Sequence, residues 1–222
     1  MKKSKKKDII FKRIIDLLIS GIGLILWFPI FVIIGVLIKL DSKGPVFFIQ
    51  ERAGKDGKIF RAYKLRTMVQ EADKLTKGII FGEDNPYITK VGKFIRRIGF
   101  DELVQLINVL KGDMSLVGPR PTLPYQIKKY NNIQRRRLTV KPGITGWALI
   151  NGRNSLTWDK RIELDLWYID HWSLLLDIRI LFKTIWVVSR GEGLYAEEGR
   201  KDKIVTLDLK EEDCRTNSIK KG

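Results

Sequence analysis

Between Leu17 and Ile38 the chain carries no charged residue, and a helix needs roughly 20 apolar residues to cross a bilayer. Two details constrain how this stretch can be used. Pro29 sits near its middle, and basic residues lie on both sides: Lys2, Lys3, Lys5, Lys6, Lys7, Lys12 and Arg13 before it, Lys39, Lys43, Arg52 and Lys55 after it. A spanning helix shows its excess of Lys and Arg on the cytoplasmic side only, so both flanks point to the same compartment. A proline inside a helix removes a backbone hydrogen bond and bends the chain. A segment that enters the membrane, turns at Pro29 and leaves on the same face satisfies both details. A single-pass anchor with a tolerated proline is the other reading, and the segment alone leaves both standing. A secretory leader is disfavoured, because the apolar core is too long and leads into Lys39-Leu40-Asp41 rather than a small-residue cleavage site.

The length, 222 residues, suits one domain with an anchor and a tail. The formal net charge of +17 predicts an anionic partner: an acidic membrane surface, a phosphorylated substrate or nucleic acid. The apolar run favours the membrane, where each nearby Lys or Arg gains on the order of 1 kcal/mol beside anionic lipid. Lys and Arg are scattered more evenly than a nucleic-acid-binding stripe requires. One cysteine, Cys214, and one histidine, His171, exclude a disulfide framework and a thiolate or histidine zinc site. Any metal must then be held by oxygen, which points to Mg²⁺.

Along the chain, Val46–Gln50 and Ile59–Lys64 read as strands separated by Gly54, Asp56 and Gly57, a β-hairpin. Helical patterns are expected over Thr67–Lys77 and Trp158–Ile169, and from Asp101 to a stop at Gly112; Gly78–Tyr87 reads as a loop. Gly118-Pro119-Arg120-Pro121 and Lys141-Pro142-Gly143 are rigid non-helical turns. Ser173–Val188 is strongly apolar and interrupted by Asp177, Arg179 and Lys183. With Trp147, Trp158, Trp167, Trp172 and Trp186 nearby, it reads as an amphipathic helix in the membrane interface, with burial of the aromatics in a core as the alternative. The sequence beyond Arg200 is polar and low in aromatics.

Several sites are missing from the sequence: there is no phosphate-binding P-loop, Gly191-Glu192-Gly193 is not a dinucleotide fingerprint, and His171 has no serine–acid context for a triad. What remains is Asp101-Glu102. Adjacent carboxylates at a helix start are usually solvated charges stabilised by the helix dipole. This pair has Lys93, Arg96 and Arg97 upstream and Arg120 on the stiff Pro-Arg-Pro turn. Arginine forks match phosphate geometry, and carboxylates beside arginines are parts of a phosphoryl-transfer site. A carboxylate can itself be the nucleophile.

The run from Asp101 through Leu103-Val104-Gln105-Leu106-Ile107-Asn108 to Gly118-Pro119-Arg120-Pro121 resembles the signature of the bacterial sugar transferase family, the small monotopic polyprenyl-phosphate phosphoglycosyl transferases. Three blocks add to the resemblance: Tyr63-Lys64-Leu65-Arg66-Thr67-Met68, Lys141-Pro142-Gly143-Ile144-Thr145-Gly146-Trp147-Ala148 and Asn151-Gly152-Arg153-Asn154. So do Glu163-Leu164-Asp165 and Ser173–Asp177, and the similarity runs from about Lys12 to Val188. It implies an α+β, mainly helical monotopic membrane protein with an N-terminal re-entrant helix–break–helix whose break is Pro29, a short β-hairpin and interfacial amphipathic helices. The expected organisation is a basic segment 1–13, a re-entrant membrane helix 14–40, a catalytic domain 41–199 and a polar tail 200–222.

The reaction implied is transfer of a sugar 1-phosphate from a UDP-sugar to polyprenyl (undecaprenyl) phosphate with release of UMP, the first step of lipid-linked glycan or exopolysaccharide assembly. By resemblance Asp101 is the nucleophile and Glu102 assists it, both with Mg²⁺, while Arg120, Lys64, Arg153 and Asp177 bind substrate. Asp177 as a solvated helix charge and Arg153 as a surface contact are the plainer alternatives. The implied partners are the two substrates and the lipids of the bacterial inner membrane, with downstream glycosyltransferases and no nucleic acid; the catalytic part faces the cytoplasm. Relatives often carry Ser or Thr in the stretch matched by Ile98-Gly99-Phe100, Pro at Val104 and Gln at Leu149, which leaves the sugar unspecified. A non-enzymatic, membrane-tethered basic protein that binds anionic lipid or nucleic acid is the alternative function.

Overall fold

The computed structural model describes residues 3–70, 72 and 85–190, with side chains from Lys7 onward. The tail 200–222, most of the expected Thr67–Lys77 helix and most of the Gly78–Tyr87 loop lie outside them. Thr67–Gln70 are not helical; Met68 instead forms a bridge with Ile88.

The basic segment and the apolar run form one helix, α1 (Lys3–Asp41), with Pro29 inside it. The chain stays helical on both sides of Pro29, so the expected break is not an interruption of secondary structure. Only a narrow stripe of α1 is covered. Asp16, Ser20, Ile34 and Ile38 are buried, while Leu18, Ile25, Leu26, Phe28 and Ile33 on its other faces are exposed. Gly23 belongs to the covered stripe: a Cβ there would lie 3.1 Å from Leu106 Cδ1.

Both ends of α1 are bonded to the same body. At the N-terminal end, Asp16 Oδ1 accepts the Leu116 amide at 3.0 Å. Arg13 donates to the carbonyls of Val109 and Leu110 at 2.7 and 3.1 Å, satisfying the exposed acceptors at the end of another helix. At the C-terminal end the buried Arg66 donates to the carbonyls of Lys43 and Ser42, both at 2.7 Å. Asp41 Oδ2 accepts the Val91 amide at 2.9 Å.

The hairpin forms as expected, with β1 (Phe47–Ala53) antiparallel to β2 (Ile59–Leu65) and Phe48 opposite Lys64. α2 (Lys90–Arg97) starts at a Thr89 cap and stops at Gly99, whose φ of 66° turns the chain left-handed. The helix expected from Asp101 is composite: Phe100–Gln105 is a 3₁₀ segment that runs into α3 (Leu106–Lys111), ended by Gly112 at φ 91°. After it come β3 (Ser115–Val117) and, beyond two single α-helical turns and the 3₁₀ segment Arg136–Thr139, β4 (Gly143–Thr145), which pairs with β3 in parallel. This second sheet has no signal in either three-residue strand. It exists because Gly118 and Gly143 let two backbones touch: a Cβ on Gly143 would lie 2.1 Å from the Gly118 nitrogen.

α4 (Trp158–Asp170) and α5 (Leu174–Arg190) complete the fold. α5 turns Asp177, Ile180 and Val187 inward and exposes Leu175, Ile178, Phe182, Ile185 and Trp186, an outward apolar stripe at helical spacing. The tryptophans divide accordingly. Trp158 is core, Trp147 stacks on Trp167 at 4.5 Å, and Trp186 is exposed. One core cluster joins α3, β3 and the inward face of α5, and a second joins α1 to Leu65, Ile95 and Phe100. Burying each such side chain contributes about 1.5–3 kcal/mol.

Candidate active site

The 3₁₀ segment presents Asp101 and Glu102 at the end of the hairpin. Asn108 ties the helix that follows this segment to the hairpin. It is fully buried on α3, accepts the Tyr63 amide at 3.2 Å and donates to the Arg61 carbonyl at 2.7 Å. The edge of β2 is thereby fixed to α3, and Lys64 falls beside Glu102.

Lys64 Nζ donates to Glu102 Oε1 at 2.6 Å. Arg120 binds the same carboxylate with both arms, Nη2 to Oε1 at 2.6 Å and Nη1 to Oε2 at 3.0 Å. Burial alone would raise the Glu102 pKa, but Arg120 and Lys64 outweigh it and hold the carboxyl well below the ordinary range. Glu102 is therefore ionised and saturated with donors.

Asp101 differs. Among the described residues none bonds to its carboxylate. Its pKa is raised, first by burial and then by the Glu102 charge, against Lys64, Arg96 and Arg120. A free carboxylate beside a neutralised one, with cations around both, is an arrangement in which a nucleophile can approach a phosphorylated molecule without facing uncompensated negative charge.

Two more arginines belong here. Arg153 stands in a left-handed conformation, φ 49°, after Gly152, which costs a side-chain-bearing residue about 1–3 kcal/mol. Its Nη1 is buried without a partner. Its pKa is lowered by burial and by Arg120, against the pull of Glu102 and Asp101. Arg153 is thus a partly buried cation that feels the charges of Glu102 and Asp101 and keeps one donor unused. Arg96, on α2, acts electrostatically on Asp101 and donates from Nε to Thr67 Oγ1 at 2.8 Å. From sequence it was one member of a basic run. Its distinguishing signal is Gly92, where a Cβ would lie 2.0 Å from the Thr67 carbonyl oxygen and so hold α2 off.

Asp177 is not part of this group. It is buried, accepting Lys12 Nζ at 2.5 Å, Tyr168 OH at 2.7 Å and Trp172 Nε1 at 3.1 Å. It ties α1 to α4 and α5, and is neither a solvated helix charge nor a neighbour of Glu102. Pro29 lies within α1 between Trp27 and Phe31, whose rings pack on Phe100, the residue before Asp101, at 5.3 and 5.2 Å.

Among the described residues no cluster of three acidic, cysteine or histidine side chains could hold a metal. A Mg²⁺ ion needs only one or two carboxylates when substrate phosphates supply the rest. The open carboxylate of Asp101 fits that role, whereas the Glu102 oxygens are engaged by Lys64 and Arg120.

The chain is 47% identical over 186 residues to "Uncharacterized sugar transferase EpsL" of Bacillus subtilis, covering 83% of this chain and 90% of that protein. It is 38% identical to "Undecaprenyl-phosphate galactose phosphotransferase" of Salmonella typhimurium, covering 86% of this chain and 43% of that protein. It is 43% identical to "UDP-glucose:undecaprenyl-phosphate glucose-1-phosphate transferase" of Escherichia coli, covering 79% and 39%. The chain thus spans nearly all of the first and less than half of the other two. The Bacterial sugar transferase family model matches residues 7–191, from α1 through the carboxylate pair to the end of α5, and the chain belongs to the bacterial sugar transferase family.

Proposed function

We propose that this sugar transferase moves a sugar 1-phosphate from a UDP-sugar to undecaprenyl phosphate through a covalent phosphosugar on Asp101. The observation that carries the proposal is the unbonded Asp101 carboxylate beside a Glu102 already neutralised by Lys64 and Arg120. The activities that the Salmonella and E. coli relatives are named for support the general reaction.

In the first displacement an Asp101 oxygen attacks the β-phosphorus, the bridging phosphoanhydride bond breaks, and UMP departs with the electron pair. In the second, a phosphate oxygen of the lipid attacks the same phosphorus and the carboxylate leaves. Both displacements use one site, so the soluble donor and the lipid acceptor can occupy it in turn. Glu102 keeps Lys64 and Arg120 in place, and Arg153 offers its unused donor to the diphosphate. Mg²⁺, held by Asp101 and the substrate phosphates, would neutralise charge on the diphosphate.

α1 supports attachment to one membrane face. From Lys12 to Asp41 it runs about 44 Å at ~1.5 Å per residue, further than the ~30 Å apolar core of a bilayer. A perpendicular crossing would put its ends on opposite sides, yet both are bonded to one body. With the outward stripe of α5, this reading makes the protein monotopic at the inner membrane, facing the cytoplasm where UDP-sugars are made. A non-enzymatic basic tether accounts for the charge but not for the carboxylate–cation group.

The test is UMP release by the full-length protein in detergent with Mg²⁺, undecaprenyl phosphate and a panel of UDP-sugars. Release with one donor, dependent on lipid and metal, is expected and names the sugar. Without acceptor, the intact protein should gain the mass of a sugar phosphate. Undiminished turnover in Asp101→Asn would remove Asp101 as the nucleophile.

A further inference from the structure

Arg120 projects from a turn whose four successive carbonyls are each held by a different donor. The Pro119 carbonyl accepts the Gly143 amide at 2.9 Å and the Thr122 carbonyl the Ala53 amide at 2.8 Å. The Pro121 carbonyl accepts Arg52 Nη1 at 3.1 Å. The carbonyl of Arg120 itself accepts Arg137 Nη2 at 3.3 Å.

Arg137 is the unusual member of this set. It is 3% exposed and paired with Asp165, 1% exposed, at 2.5 Å. Its Nη1 donates to the Tyr130 hydroxyl at 2.6 Å, and its guanidinium lies 5.3 Å from the centre of the Trp158 ring. Asp165 also acts on the Arg120 guanidinium. A buried ion pair is a poor source of stability, because apolar residues of similar volume often serve as well or better. Its use here requires another explanation, and the bond from Arg137 to Arg120 supplies one.

We propose that Arg137 and Asp165 are positioning residues for the transfer reaction. They fix the backbone of Arg120 so that its guanidinium meets Glu102 with both arms. The catalytic consequence rests on the function proposed above; the positioning itself does not. Asp165 neutralises and orients Arg137, Tyr130 holds one of its arms, and the other sets the turn. Arg137 touches neither carboxylate of the site, so its effect passes through Arg120.

The experiment compares full-length wild type, Arg137→Lys, Arg120→Lys and the double variant in detergent. Two readouts are taken: order of the Arg120 Nε–H group by ¹⁵N relaxation, and kcat/KM for UMP release with the donor that wild type uses. Thermal unfolding is followed in parallel. Arg137→Lys should make the Arg120 Nε–H group mobile and lower kcat/KM roughly tenfold to hundredfold. That loss should vanish in the Arg120→Lys background, while the change in Tm is the same in both backgrounds. Tyr130→Phe, which removes one support and keeps the ion pair, should show the same pattern more weakly and serves if Arg137→Lys does not fold. An Arg120 Nε–H group as ordered in Arg137→Lys and Tyr130→Phe as in wild type overturns the proposal, as does an undiminished kinetic loss in the Arg120→Lys background. Wild type that releases no UMP, with Arg120 still loosened by these changes, would instead remove the proposed reaction and leave the positioning in place.

Discussion

Glu102 and Asp177 look alike in the sequence, each an acidic residue within a block shared with sugar transferases, and each takes a lysine at about the same distance, 2.6 and 2.5 Å. Their surroundings separate them. Around Asp177 every partner comes from the fold: Lys12 from α1, Tyr168 from α4 and Trp172 from the α4–α5 connection. Beside Glu102 lies Asp101, whose carboxylate no described residue bonds, and the Arg120 side chain is 37% exposed. One carboxylate closes a joint between helices, and the other holds cations open to a ligand. A shared pair of charges therefore says little about role until the unused bonding capacity nearby is known.

The largest effect that would break this comparison is on turnover. Asp101→Asn should lower UMP release by on the order of 10⁴-fold or more, as removal of a covalent nucleophile does, with unfolding and membrane binding unchanged. Asp177→Ala should instead act on stability. It takes from Lys12, Tyr168 and Trp172 the carboxylate they share and leaves the half-buried Lys12 only the Val117 carbonyl, a loss of about 3 kcal/mol, visible as a Tm roughly 10 °C lower; KM for the donor in the folded fraction should stay at the wild-type value. A raised KM without a change in Tm would return Asp177 to the substrate site.

Glu102→Gln should be intermediate, costing about 10²–10³-fold in kcat/KM because Lys64 and Arg120 lose the charge that places them. The same variant sharpens the pH behaviour. Asp101 must be ionised to attack, and burial and Glu102 both raise its pKa above the ordinary aspartate value of 3.8. Activity should thus rise with pH through that raised pKa. Removing the Glu102 charge takes away one raising influence and leaves Lys64, Arg96 and Arg120, so the acidic limb of the kcat/KM profile should move to lower pH. A limb that stays in place means another group controls it. The smallest effect expected is at the membrane: Phe182→Ser on the outward stripe of α5 should weaken vesicle flotation less than tenfold, since α1 presents far more apolar surface.

Much of the site was legible in the linear order. Asp101, Glu102, Arg120 and Arg153 come from blocks in which glycine or proline restricts the backbone locally, and Lys64 joins them from a strand of the hairpin. Asn108 and Arg96 were not legible as site residues. Asn108 is one polar side chain in an apolar helix, and its significance is a bond to a strand 45 residues earlier. Arg96 was hidden among Lys93 and Arg97, whose charges are equivalent in sequence and different in direction once α2 packs on Thr67. Asp177 was assigned by its block to substrate, and only its burial moved it elsewhere.

The sequence alone determined the local features: an uncharged run long enough for a membrane, the β-hairpin, the last two helices, and the turn that carries Arg120. These follow from side-chain periodicity and backbone restriction within a few residues. Tertiary structure decided the rest. That α1 continues through Pro29 with both ends on one body, that β3 pairs with β4, and that one lysine–carboxylate pair is a clasp while the other faces an open carboxylate all depend on contacts between residues far apart in the chain. Such contacts are set by which surfaces can be buried together, and periodicity within a segment carries no information about its partner.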